Sequence, residues 1–411
     1  MFWLRSDPYP LAPLVNSRPQ HAILESVVFA WTHRLVCGVA LVAALAFPLR
    51  AQNTARFEPL YREALARHEA SYGAEDPRTA QSLVDLALFL NKHERPAEAE
   101  PLLRRAATIL DKPETSAALA HALEALAEVR LEQEDAEEAE ALLRRALALR
   151  GEGAEAAETL DHLSALLRSK GEFEDAERFA RQALSFGRTG ERLRGLALIL
   201  EAEGSNDEAG KLHSEALVAQ EEEFGPVHPQ VALSLNSLAL LDVERGEFAK
   251  AGPLLERALD IFERTLGTES PEAATTLDNL GNVQRAQRDF PGAQRLLLRA
   301  LAIRRKTLGA DDPETAITLN NLAGVYHLQG KLAEAEPLYR EAIQIRERQL
   351  GEAHPDTAQT LYNLGHLLRQ KGDREGAMQA FTRALRSLET SLGAADPLTI
   401  SVRESLAAIQ R

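Results

Sequence analysis

Between Pro313 and Gly351 the apolar residues fall into two runs at helical spacing. Leu319, Leu322, Ala323 and Tyr326 recur three and four positions apart, which predicts one amphipathic helix. Ala335, Leu338, Tyr339 and Ala342 predict a second, with small alanines that let neighbouring helices approach closely. Gly330 separates the runs where the chain must turn, and Gly351 follows the second where a left-handed residue ends a helix. Asp312 before Pro313 places a side-chain acceptor at the N-cap and proline at the first helical position. The expected unit is a pair of antiparallel helices.

That unit repeats. Pro229, Pro271, Pro313, Pro355 and Pro397 lie 42 positions apart. Asp76, Ser270 and Asp396 precede prolines as Asp312 does, while His228 and His354 fill the same slot as weaker acceptors. Gly171, Gly204, Gly246 and Gly372 match the turn glycine, and Gly225, Gly267, Gly309 and Gly393 match the terminal one. The alanine opening each second helix recurs at Ala99, Ala139, Ala176, Ala209, Ala251, Ala293, Ala335 and Ala377, which gives eight units. Their spacing is 40, 37 and 33 before it settles at 42. Residues 57–73 match the second helix of a preceding half unit, and residues 397–410 a lone first helix that caps the array. Self-similarity at fixed period means stacked units, none able to bury its apolar face alone. The expected fold is all-α, an α-α superhelical solenoid over residues 54–411, irregular at 54–225 and regular at 229–393. Asp242 and Gln284 stand in the apolar slot of Tyr326 and Leu368, so Leu241 and Val283 are expected to rotate inward.

Composition narrows the function. Aromatics are 5% and the formal charge is −15. Residues 1–51 carry Arg5, Arg18, Arg34 and Arg50 against Asp7 and Glu25, so the body beyond them is more acidic still. Such a body lacks the cationic excess that displaces counterions from nucleic acid, and a nucleic-acid partner is not expected.

Residues 1–33 read as a disordered extension, Pro-rich at its start. His33 and Arg34 then precede an apolar stretch, Leu35 to Leu49, followed by Arg50-Ala51-Gln52. Fifteen apolar residues are short for a membrane span. Residues 34–51 are therefore expected to be a secretory signal cut after Ala51, with an uncleaved membrane anchor as the alternative. Cys37, Trp3 and Trp31 all precede the expected cut, so no disulfide is on offer beyond it. The expected location is outside the cytoplasm or at a membrane, and cytoplasmic if the segment is no signal.

The frame Leu361, Leu364-Gly365, Leu368, Gly372, Ala377, Phe381, Ala384 resembles the tetratricopeptide repeat (TPR). Residues 318–323 (TLNNLA), 334–343 (EAEPLYREAI), 350–351 (LG) and 354–358 (HPDTA) resemble the 42-residue kinesin light chain type. The resemblance covers about Phe57 to Arg411. No heptad segment precedes the repeats, so a motor-binding role does not carry over.

Asn279, Asn321 and Asn363 recur in phase one position before the apolar leucine of each first helix, with Ser237 one unit earlier. The resemblance implies that this face lines a concave groove in which asparagines grip the backbone of an extended peptide. It extends the set to Asn282 and His366, and then to Arg285, His327 and Arg369. An amide both donates and accepts, so it pairs with any main chain. Helices 8–10 Å apart would meet an extended peptide about every third residue. The alternative is that the asparagines bond adjacent helices and only stiffen the array.

Other signals are weak. Residues 132–140 (EQEDAEEAE) read as solvated surface. Arg304, Arg305, Lys306, Arg346 and Arg348 lie near the ends of second helices, where complementing the dipole accounts for them. Residues 204–211 (GSNDEAGK) miss the phosphate-loop spacing and its Ser/Thr. Gly151-Glu152-Gly153 follows no strand, and His93-Glu94 lacks a second histidine. No cofactor, metal or catalytic residue is expected. The expected function is a non-catalytic scaffold for a protein or peptide partner. A self-assembling envelope component and a regulatory subunit of an enzyme complex are the alternatives.

Overall fold

The computed structural model describes residues 47–410, and every regular element among them is helical. Helix α1 (Phe47–Tyr72) precedes four hairpins: α2 (Pro77–Lys92) with α3 (Pro96–Leu110), α4 (Ser116–Glu132) with α5 (Ala136–Arg150), α6 (Ala157–Ser169) with α7 (Phe173–Phe186), and α8 (Gly190–Ala202) with α9 (Asn206–Phe224). Four more follow: α10 (Pro229–Glu244) with α11 (Phe248–Thr265), α12 (Pro271–Ala286) with α13 (Phe290–Thr307), α14 (Pro313–Leu328) with α15 (Leu332–Gln349), and α16 (Pro355–Lys371) with α17 (Arg374–Ser391). Helix α18 (Pro397–Gln410) packs on α17. Residues 1–33 and most of the expected signal 34–51 lie outside the described residues, and residues 47–51 begin α1. Among the described residues no helix is long and apolar enough to cross a membrane.

The chain divides into two compact units, one ending at Glu223 and the other beginning at Phe224. Within each, a second helix packs between its own first helix and the next hairpin's. First helices also meet directly, α12 against α10 and α14, and α14 against α16. The first helices thus form a continuous layer in the second unit.

The helix boundaries follow from the punctuation. Asp76, Asp312 and Asp396 accept the backbone N–H of Arg78, Glu314 and Leu398 at 2.9, 2.8 and 2.9 Å. His228 and His354 cap as well, through Nδ1, at the longer 3.3 and 3.2 Å. Gly330 and Gly372 turn with φ of 74° and 84°, but Glu94, Glu134 and Arg288 hold the same left-handed turn without being glycine. Gly365 has a different reason to be glycine. A Cβ there would lie 2.5 Å from the Phe381 ring, so its absence lets α17 close onto α16.

Leu83, Leu86, Leu90, Leu103, Leu119, Leu123 and Leu126 fill the core of the first unit. Leu319, Leu322, Tyr339, Leu361 and Phe381 are among the buried residues of the second. Leu241 and Val283 are buried, yet so are Val325 and Leu367 in the same register, so no compensating rotation occurs. Asp242 and Gln284 simply stay half-buried.

A buried polar bracket recurs between hairpins. Arg304, at the end of α13, sits 2.5 Å from Asp278 on α12 and donates 2.7 Å bonds to the Glu314 carbonyl and the Thr318 hydroxyl on α14. Forty-two residues on, Arg346 donates to the Asp356 carbonyl and Thr360 hydroxyl at 2.7 and 2.6 Å, but Asn320 stands where Asp278 did. In the first unit Glu124 takes the acid's place, bonding Arg150 at 2.6 Å and the Thr159 hydroxyl. Gly187 stands at the arginine's position in the next hairpin, and there Arg192 reaches Asp161 from the following helix at 2.8 Å. Arg304 and Arg346 are therefore fasteners between hairpins rather than dipole partners. Arg305 and Arg348 remain exposed, each 2.6 Å from an acid, Glu341 and Asp311 respectively, and exposed Lys306 pairs with Glu269.

Candidate peptide-binding face

Helices α12, α14 and α16 carry the eight expected contact residues at matching positions of three consecutive first helices. Asn279 is half-buried and makes no hydrogen bond among the described residues. Asn321 is buried and donates a long 3.5 Å bond to Asp278 Oδ1. Asn363 is buried and donates to Asn320 Oδ1 at 3.1 Å, which leaves its own Oδ1 buried with no acceptor role filled. Two rungs of the ladder thus reach the preceding first helix. The two acceptors, Asp278 and Asn320, lie one position before the preceding rung, so the ladder and the bracket share Asp278.

The next turn reads Asn282, Gly324 and His366. Asn282 is half-buried, and its Oδ1 finds no donor among the described residues. His366 is buried edge-on to Tyr362 and Phe381, with ring centroids 4.5 and 5.2 Å away. Its Nδ1 accepts from Arg369 Nη2 at 3.2 Å, which leaves Nε2 buried and unpartnered. Burial, then the charge of Arg369 and the nearby His327, push its pKa down to about 4.

The third turn reads Arg285, His327 and Arg369. His327 is buried, and its Nε2 lies 2.8 Å from Gln370 Oε1 on α16, so that atom donates and Nδ1 has no partner. Burial lowers its pKa, and the Gln370 bond opposes that. Arg285 is half-buried with Nε enclosed and unpartnered, and burial lowers its pKa too. Arg369 is half-buried.

Two participants were not legible as such. Tyr339 of α15 reads in the sequence as core, and its ring is fully buried, but its hydroxyl finds no hydrogen-bond partner among the described residues. Gly324 breaks an otherwise polar register, and the period alone could have flagged it. Among the described residues no group of histidine, cysteine and acidic side chains could hold a metal ion. Amides, imidazoles and guanidiniums thus share one helical layer.

An all-α stack of helix hairpins defines the class of helical repeat proteins. The tetratricopeptide repeat family matches residues 46–112, 118–188, 191–251, 239–306, 274–348 and 314–390, and the chain belongs to that family. No curated protein sequence matches it significantly. Among solved structures it is similar to a Podospora anserina putative kinesin light chain with nearly identical TPR-like repeats. That match has 24% identity over 49% of this chain and 94% of that one, with a TM-score of 0.43. A tetratricopeptide repeat protein from Parabacteroides merdae is 16% identical over 71% of this chain and 99% of its own, with a TM-score of 0.51. A chain in the structure of the APC/C hetero-tetramer Cut9–Hcn1 is 15% identical over 86% of this chain and 60% of its own, with a TM-score of 0.54. These likenesses concern the fold.

Proposed function

We propose that the chain is a non-catalytic scaffold that holds an extended partner peptide along α12, α14 and α16. One observation carries this reading. Asn282, Arg285, His327, Asn363 and His366 each keep a buried nitrogen or oxygen unpartnered among the described residues, and all five lie on the same layer. An unsatisfied buried polar atom costs about 1–3 kcal/mol, and of these five side chains Asn282 and Arg285 are the two open enough for a ligand main chain to approach. Asn282 and Arg285 are half-buried, so part of each side chain already meets solvent. The tetratricopeptide fold is generally a scaffold without catalysis, and it is associated with protein partners.

Capture from native extract with the wild-type chain and with an Asn279/Asn321/Asn363→Ala triple variant tests the reading. The expected result is a partner retained by the wild type and lost from a variant that remains helical. Identical partner sets would remove the ladder from binding.

A further inference from the structure

Helix α1 repeats α15 without its cover. Residues 58–64 and 336–342 share the sequence EPLYREA, so Phe57 and Tyr61 stand where Ala335 and Tyr339 stand. In α15 both positions are 0% exposed, with α14 packed on one side and α16 on the other. Helix α1 packs on α2 as α15 packs on α16, but no helix among the described residues takes the place of α14. Phe57, Leu60 and Tyr61 are accordingly 40%, 56% and 38% exposed, within about one turn of one another.

The orientation of that face is fixed. Glu58 meets Arg95 at 2.6 Å, Tyr61 lies against Phe89 with ring centroids 4.9 Å apart, and Leu65 packs on the core of the first unit. These contacts hold α1 by its α2 side and leave the opposite side to solvent. In a stack of hairpins a helix in this position buries its apolar face against a neighbour. Large apolar side chains clustered on one turn mark a surface that another element covers.

The repeat says what kind of element fits, because α14 shows it: an amphipathic helix running antiparallel. The chain just before α1 carries that pattern. Leu24, Val27, Val28 and Trp31 have the spacing of Leu319, Leu322, Ala323 and Tyr326, with Glu25, Ser26 and Thr32 among them. Helix α1 starts at Phe47 with proline as its second residue, a position that suits a helix start directly after a turn. Counted back from such a turn at about 1.5 Å per residue, an antiparallel helix brings Trp31 level with Tyr61, about 20 Å along α1.

We infer that residues 22–46 fold back on α1 and supply its missing first helix, with Trp31 seated beside Leu60 and Tyr61. The apolar stretch then serves inside the array, in place of its expected removal as a signal.

The test uses the full-length chain carrying Trp3→Phe, which leaves Trp31 as its one indole. It is made by cell-free synthesis without membranes and confirmed intact by mass. The expected result is blue-shifted Trp31 emission that acrylamide quenches poorly. Leu60→Asp should move that emission to the red and lower the thermal midpoint by about 4 °C or more. With nothing over α1, a substitution at this exposed position would leave the midpoint within about 1 °C. Val28→Asp, which alters no described residue, should reproduce both changes, and it decides alone if Leu60→Asp loses its helical signal.

Emission typical of a solvent-exposed indole in the parent chain overturns the proposal. So does shielded emission that ignores both Leu60→Asp and Val28→Asp, which would place the segment elsewhere. Shielding that disappears on dilution would assign the cover to a second copy. Protein from native cells that begins at Gln52 would leave the face to some other partner, and either result overturns the assignment to residues 22–46.

Discussion

At the scale of single residues, His366 makes the clearest quantitative statement. Its pKa falls from 6.5 to about 4 on folding because the ring is buried beside Arg369 and His327. Above pH 6.5 the ring is neutral in both states and costs nothing. As pH falls from 6.5 towards 4, the unfolded chain takes the proton and the folded one does not, so stability is lost across that window. The expected loss is on the order of 3 kcal/mol. Urea unfolding of the wild type and His366→Gln at pH 7 and pH 4.5 isolates it, since the other titrating groups are common to both. Parallel losses in the two proteins would contradict the assignment. Glu134 gives a second case, with φ of 63° at a turn where other hairpins use glycine. Glu134→Gly should raise stability by about 0.5–1 kcal/mol, seen as a higher thermal midpoint. A lower midpoint would mean that the glutamate side chain contributes more than the strain costs. Most of this scale was legible. The turn glycines and N-caps are read directly, because proline and glycine restrict the backbone whatever surrounds them. The fate of each amide in the asparagine ladder was not. It depends on whether Asp278 or Asn320 faces it from a helix about 43 residues away.

At the scale of elements, the bracket between hairpins decides how firmly one first helix is held to the next. Arg304 with Asp278, Thr318 and Glu314 is a filled version, and Arg346 beside Asn320 lacks the acid. Arg304→Met leaves the Asp278 carboxylate buried without its cation and should cost about 3–5 kcal/mol. The double variant Arg304→Met/Asp278→Leu should recover a large part of that loss, because no charge is then stranded. Chemical denaturation of the two variants checks the pair. A double variant as unstable as Arg304→Met alone would mean that the arginine acts through packing and not through the pair. The sequence places these arginines at helix ends, where a dipole account is sufficient. Their burial depends on how tightly successive hairpins approach, and small residues such as Ala342 and Ala300 set that distance. Pairing of helices into hairpins was legible from period and punctuation. Pairing of polar atoms across hairpins was not, because it needs the register of one helix against the next.

At the scale of the whole molecule, the chain is acidic yet keeps Arg285, His327, His366 and Arg369 on one layer of first helices. On the second helices, by contrast, partly exposed pairs such as Arg299 with Glu263 and Arg305 with Glu341 bridge neighbouring hairpins. Each such pair is worth about 0–1 kcal/mol. The central claim is that partners bind the first-helix layer of the last regular hairpins. Site-specific photocrosslinking in native extract tests it most directly, with a benzophenone side chain placed at Asn279 or Asn282 on α12, or at exposed Arg340 on α15. The account predicts partner adducts from the α12 positions, suppressed by excess unlabelled wild type and absent from the Arg340 position. Adducts forming equally from Arg340, or from Arg340 alone, would contradict it.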